Sequence, residues 1–196
     1  MASTEEYSSK IAPESQAVPR NERKASFFLL DVTLRVFLLA ACVAGIVLLV
    51  TSKQTKIIPV LLPTGQIFNV PNSAKFQHSP AFIYLLAALS VAGFYSIISI
   101  LASLASKKYY SKKHVFLFTV LDLLMVGVLA SATGAAGGIE YTGLKGNSHA
   151  RWGKICNVYG DFCRHVGAST GLSLVSSIVL IMLIMLSTYT LYRRSS

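Results

Sequence analysis

The stretch FFLLDVTLRVFLLAACVAGIVLLV, Phe27–Val50, is apolar almost throughout yet carries Asp31 and Arg35. An ionised side chain near the centre of a bilayer costs about 2.5–3.5 kcal/mol on insertion scales. A membrane-spanning reading of this stretch therefore demands a compensating group for Arg35. A second stretch, HVFLFTVLDLLMVGVLASATGAAG (His114–Gly137), supplies one in Asp122. Two further apolar runs, Ala81–Ala105 and Gly171–Tyr192, contain no formal charge. All four are roughly 22–25 residues long, and about 20 residues at 1.5 Å rise cross ~30 Å of hydrocarbon. The fold expected is an all-α membrane protein: a four-transmembrane-helix bundle with two extracellular loops.

Composition agrees. Of the 196 residues, 53% are hydrophobic and 13% charged, whereas soluble domains carry about a quarter charged residues. The net charge of +10 could suggest a nucleic-acid partner, but its distribution argues against one. Lys10, Arg20, Arg23 and Lys24 precede the first run, Lys107, Lys108, Lys112 and Lys113 crowd the link between the second and third, and Arg193 and Arg194 follow the fourth. The other two links carry Lys53, Lys56 and Lys75, then Lys145, Arg151, Lys154 and Arg164, more thinly spread. The positive-inside rule then sets both termini in the cytosol. No nucleic acid is expected as partner; the lipid bilayer is.

Residues 1–26 are polar, contain Pro13 and Pro19, and read as a disordered cytosolic arm rather than a signal peptide. Residues 193–196 form a short cytosolic tail. In the first outer loop, VLLPTGQIFNV places two apolar runs around Pro63–Thr64–Gly65, a turn-like tripeptide, which suggests a short hairpin. Pro80 suits the first turn of the second helix. Small residues recur at four-residue spacing: Ala41 and Gly45; Ala88, Ala92 and Ser96; Gly127, Ser131 and Ala135; Ala130, Gly134 and Gly138. Such stripes let helix backbones approach closely, within one bundle or between subunits.

Taking Phe27 and His114 as cytosolic edges, Arg35 and Asp122 each lie about eight residues inward, ~12 Å along the axis. Their helices run in the same direction, so the two side chains meet at one level as a bidentate guanidinium–carboxylate pair. Asp31, one turn before Arg35 and nearer the edge, is an accessory partner. The pair reads as a structural lock between the first and third helices. The competing reading makes Asp122 a proton carrier in a small channel or proton-coupled transporter. Transport would call for further polar groups or broken helices, and the runs offer only Ser, Thr and a few Tyr.

In the second outer loop, Cys156 and Cys163 sit in GNSHARWGKICNVYGDFC on the oxidising face, at a spacing compatible with a disulfide. A zinc site using His149, Cys156, Cys163 and His165 is the alternative, but the spacing fits no standard finger. Trp152, Tyr159 and Phe162 are expected to pack around the crosslink or sit at the headgroup layer. Cys42 reads as an inert small apolar residue. No nucleophile–base set, phosphate loop or clustered histidines are present, so no enzyme, cofactor or metal is expected.

These features resemble the Casparian strip membrane domain protein family (CASP and CASP-like), plant tetraspan proteins related to the MARVEL domain. The resemblance rests on Arg35 and Asp122, and on Trp152, Cys156, Tyr159, Phe162 and Cys163 in W-x-x-I-C-x-x-Y-x-x-F-C order. HSPAFIYLLAALSVAGFYSI and FTVLDLLMVGVLASATGAA are similar to the family as well. It implies a MARVEL-like bundle and a non-enzymatic plasma-membrane scaffold that forms homo- and hetero-oligomers. It also implies a role in organising a membrane domain and secreted cell-wall-modifying enzymes. The first outer loop, IIPVLLPTGQIFNVPNSAKFQHSP, lacks the segment of the founding members, which points to the broader CASP-like branch.

Overall fold

Within hydrocarbon every backbone N–H and C=O must be satisfied inside the segment, which leaves a long apolar run no option but helix. A computed structural model describes residues 20–61, 67–105, 112–149 and 152–195. It contains helices α1 (Arg20–Thr51), α2 (Pro80–Ala105), α3 (Lys112–Lys145) and α4 (Gly160–Ser195), each long and apolar enough to cross a membrane. Strands β1 (Gln54–Leu61) and β2 (Ile67–Ala74) and a 3-10 turn (Phe76–His78) lie between α1 and α2.

Around the bundle, α1 packs on α2, α2 on α3, α3 on α4 and α4 on α1. Consequently α1 and α3 face one another across a diagonal. The interior is filled by Leu38, Cys42 and Leu49 of α1, Leu85, Ala88, Leu89 and Ala92 of α2, Leu129, Ala132 and Ala136 of α3, and Val166, Leu180 and Leu183 of α4. Phe37, Val47, Phe94, Leu101, Phe116, Leu124 and Met185 point outward, where lipid is as apolar as any core. Close packing and hydrogen bonds must therefore hold the helices together. Ser96 of α2 donates to the Arg35 carbonyl at 2.8 Å, and Ser169 of α4 to the Gly45 carbonyl at 2.8 Å. Thr133 and Ser173 join α3 to α4 at 2.8 Å. At Gly45 the approach is so close that an added Cβ would stand 3.1 Å from Leu89 Cδ1.

Helix ends depart from the apolar runs. Residues 20–26, expected as part of the disordered arm, belong to α1, while residues 1–19 lie outside the described residues. The second outer loop, expected over about 138–170, shrinks to 146–159 because α3 continues to Lys145 and α4 begins at Gly160. Apolarity reports the thickness of hydrocarbon, whereas a helix continues wherever its backbone bonds and side-chain contacts persist. Here Thr170 of α4 hydrogen-bonds Glu140 of α3, tying the two extensions together. The α3 extension ends at Gly146, whose φ of 73° suits a residue without Cβ and whose N–H caps Thr142 O at 2.8 Å.

The hairpin forms as the first outer loop suggests, antiparallel from Gln54↔Ala74 to Leu61↔Ile67. The Pro63–Thr64–Gly65 turn lies outside the described residues. Pro59 and Pro71 are tolerated because each strand of a two-stranded sheet is an edge. Gln54 fixes the hairpin to α4: its amide oxygen accepts from Phe162 N at 3.1 Å and its Nε2 donates to Asp161 Oδ2 at 3.2 Å. It thus satisfies an orphan donor of the first turn of α4, as an N-cap residue would. Tyr159 donates its hydroxyl to Asn72 O at 3.2 Å.

Candidate functional site

The inter-helix ion pair forms with both termini of the guanidinium. Arg35 Nη1 lies 3.3 Å from Asp122 Oδ1 and Nη2 3.1 Å from Oδ2. Both residues are withdrawn from the surface, Arg35 at 1% and Asp122 at 0% exposure. Adjacent helix axes stand about 8–10 Å apart, so the α1–α3 diagonal is about 11–14 Å. Only a long side chain bridges that gap while offering two parallel N–H donors, which is why arginine serves and lysine would not.

Three further groups complete the clasp. Asp31 Oδ2 accepts from Arg35 Nε at 3.3 Å and keeps 22% exposure, the accessory role expected of it. The Phe118 ring lies 5.8 Å from the guanidinium carbon. Tyr95 of α2 donates to Asp122 Oδ1 at 2.7 Å, the shortest contact of the set. Tyr95 was not singled out by the sequence reading. The signal was present: Tyr95 stands ten residues before the end of α2 at Ala105, ~15 Å along the axis and close to the level of the charged pair. With Ser96 holding the Arg35 carbonyl, the clasp draws on α1, α2 and α3 together. No buried side-chain nitrogen or oxygen lacks a partner among the described residues.

At the other end, Cys156 and Cys163 are joined in a disulfide and Cys42 is free and buried. The bonded sulfurs are unavailable as metal-binding thiolates, which takes both cysteines from the zinc alternative. The aromatic trio divides. Tyr159 and Phe162 are buried, Phe162 edge-on to Phe82 at 6.1 Å, whereas Trp152 is 59% exposed. The crosslinked loop is seated on the end of α3, where Gly143 O accepts from Ile155 N at 2.9 Å and Cys156 N at 3.2 Å. Glu140, beyond the apolar run of the third span, is the partly buried carboxylate that the sequence reading left out.

The small-residue stripes also divide. Ala41, Ala88, Ala92 and Ser96 are buried inside the bundle. Gly127, Ala130, Ser131, Gly134, Ala135 and Gly138 of α3 are exposed, and a Cβ added at Gly127, Gly134 or Gly138 would meet nothing within 4 Å.

A four-span helical membrane protein, clasped internally by an arginine–aspartate pair and crosslinked outside it, is the class these features define. The Casparian strip membrane protein domain matches residues 24–179, and the chain belongs to that family. It is similar to "CASP-like protein 1D1" of Populus trichocarpa, 47% identical over 99% of this chain and 98% of that one. It is also similar to "CASP-like protein Ni6" of Beta vulgaris subsp. maritima, 53% identical over 93% and 92%, and to "CASP-like protein 1D1" of Vitis vinifera, 54% over 87% and 81%. No solved structure matches. None of these names describes an enzyme.

Proposed function

We propose that this protein is a non-enzymatic plasma-membrane scaffold that associates laterally with itself and with related chains. In this reading, both termini are cytosolic and the hairpin and crosslinked loop face the cell wall. The observation that carries it is the outward small-residue face of α3, running from Gly127 through Ala130 and Gly134 to Gly138. In lipid, small residues gain their stabilisation by admitting another helix backbone, and among the described residues α1, α2 and α4 leave Gly127, Gly134 and Gly138 open, Tyr84 of α2 reaching only the edge of this face at Ser131. A second copy or a relative provides the missing helix. The outer loops then form an array able to hold secreted wall-modifying enzymes, with exposed Ile57, Trp152 and Ile155 as contact points.

The clasp supports a passive part rather than a conducting one. Asp122 has all its contacts within the bundle, and Leu38, Leu129, Leu180 and Leu183, all at 0% exposure, fill the interior between it and the serine–threonine contacts further along. A proton carrier would need water or titratable groups on both sides. The test is self-association in vesicles, read by single-molecule photobleaching. Gly127→Leu with Gly134→Leu should shift the population to monomers while the helical content is kept. An unchanged oligomer distribution removes the α3 face from the argument. Proton flux abolished by Asp122→Asn, with association intact, overturns the scaffold in favour of transport.

A further inference from the structure

At the end of the bundle where α1 begins and α4 ends, a cavity of about 60 Å³ opens between α1, α3 and α4, with Asp31 and Arg35 among its lining residues. Its lining residues include Phe27, Phe28 and Phe118 and the hydroxyl-bearing Ser187 and Thr190. Water needs about 10–15 Å³ of such space per molecule, so the cavity suits a group of four or five heavy atoms. The clasp does not need this space, since its hydrogen bonds are complete without it.

The chemistry of the walls selects the sign of the ligand. All three guanidinium nitrogens of Arg35 are already turned to carboxylates, Nε to Asp31 and both Nη to Asp122. Three of its five N–H donors are thus engaged, and the other two sit on the same Nη atoms beside the Asp122 carboxylate, so an anion reaching them would also face that negative charge. With formal charges, one arginine between two aspartates leaves the cluster at net −1. Asp31, a lining residue, bonds Arg35 through Oδ2, which leaves Oδ1 as a further acceptor. Thr190 donates its hydroxyl hydrogen to Leu186 O at 2.8 Å, so its oxygen turns acceptor. Ser187 adds a third acceptor. Aromatic faces complement a cation by their quadrupole.

From these observations, we propose that the cavity binds a primary alkylammonium group. Three acceptors match the three N–H donors of –NH3⁺, whereas a quaternary ammonium would leave Asp31, Ser187 and Thr190 with nothing to accept. The ammonium is carried either by an ethanolamine lipid headgroup, entering from the leaflet beside the start of α1 and the end of α4, or by a free amine in the aqueous phase.

The experiment uses the full chain in mixed micelles with equal phosphatidylethanolamine, phosphatidylcholine and phosphatidylglycerol, read by native mass spectrometry. Thermal unfolding is measured in parallel with ethanolamine, spermidine or tetramethylammonium added. Retention of the ethanolamine lipid about tenfold over the other two, reduced to parity in Asp31→Asn and in Ser187→Phe, supports the lipid as source. Stabilisation by ethanolamine or spermidine, absent with tetramethylammonium and in both variants, without lipid selection, supports the free amine. Ser187→Phe fills the cavity without touching the ion pair, so it separates ligand loss from a fold damaged at Asp31. Equal retention of all three lipids with no response to primary amines overturns the proposal, as does preference for the choline or glycerol headgroup or a response to tetramethylammonium equal to that of ethanolamine.

Discussion

Replacing Arg35 by alanine removes two hydrogen bonds to Asp122, one to Asp31 and the contact over Phe118. Asp122, at 0% exposure, would retain only Tyr95 as side-chain donor. Breaking a buried pair from one side costs about 3–5 kcal/mol, because the surviving charge stays desolvated. Against a total stability of about 5–15 kcal/mol for a typical domain, that loss is a large fraction. The double change Arg35→Met with Asp122→Leu removes both charges together, and such replacements range from neutral to stabilising by about 1–4 kcal/mol. Here it also strips Tyr95 of its carboxylate and leaves Phe118 O, at 3.4 Å, as the fallback acceptor, a cost of about 1 kcal/mol. The order expected is therefore a double variant no more than about 1 kcal/mol below wild type, or above it, with Arg35→Ala far below both. Reversible unfolding in bilayers, read by steric trapping of labelled α1 and α3, measures it, and surface delivery in cells should follow the same order. An Arg35→Ala loss under about 1 kcal/mol, or a double variant no better than the single, refutes the clasp as a structural element.

Tyr95→Phe should cost about 1.5–3 kcal/mol, the range for a hydrogen bond to a charged acceptor; no change in unfolding would mean Asp122 does not depend on α2. Gly45→Ala should lose about 1–3 kcal/mol by overpacking against Leu89, whereas Gly134→Ala should leave the monomer's stability intact; similar losses at both sites would contradict the packing described. Gln54→Ala should free the hairpin from α4 at about 1 kcal/mol, a typical capping loss, visible as faster amide exchange over residues 54–61 with α2 unaffected. Non-reducing peptide mapping should recover Cys156 linked to Cys163 and Cys42 free; opening so short a loop should lower stability by about 2–3 kcal/mol, and a Cys156→Ser chain as stable as wild type would count against that.

The number of spans, their order, the hairpin and the partner of Arg35 were all legible in the residues. Each follows from a local or one-dimensional rule: hydrocarbon thickness sets span length, and a charge in lipid must find its counter-charge at matching depth. The family resemblance was legible for the same reason, since its marks are side chains at fixed spacings. Helix ends were not legible, because Glu140 and Thr170 are polar and only their mutual contact shows that both helices continue. Neither could periodicity say which small-residue stripe looks inward. Ala88 and Gly134 are both small, but packing order around the bundle buries one and leaves the other on its outside. Tyr95 joined the clasp for a kindred reason. Helix rotation, set by how the side chains of four helices interdigitate, turned its hydroxyl toward Asp122, and rotation arises only once the helices are assembled.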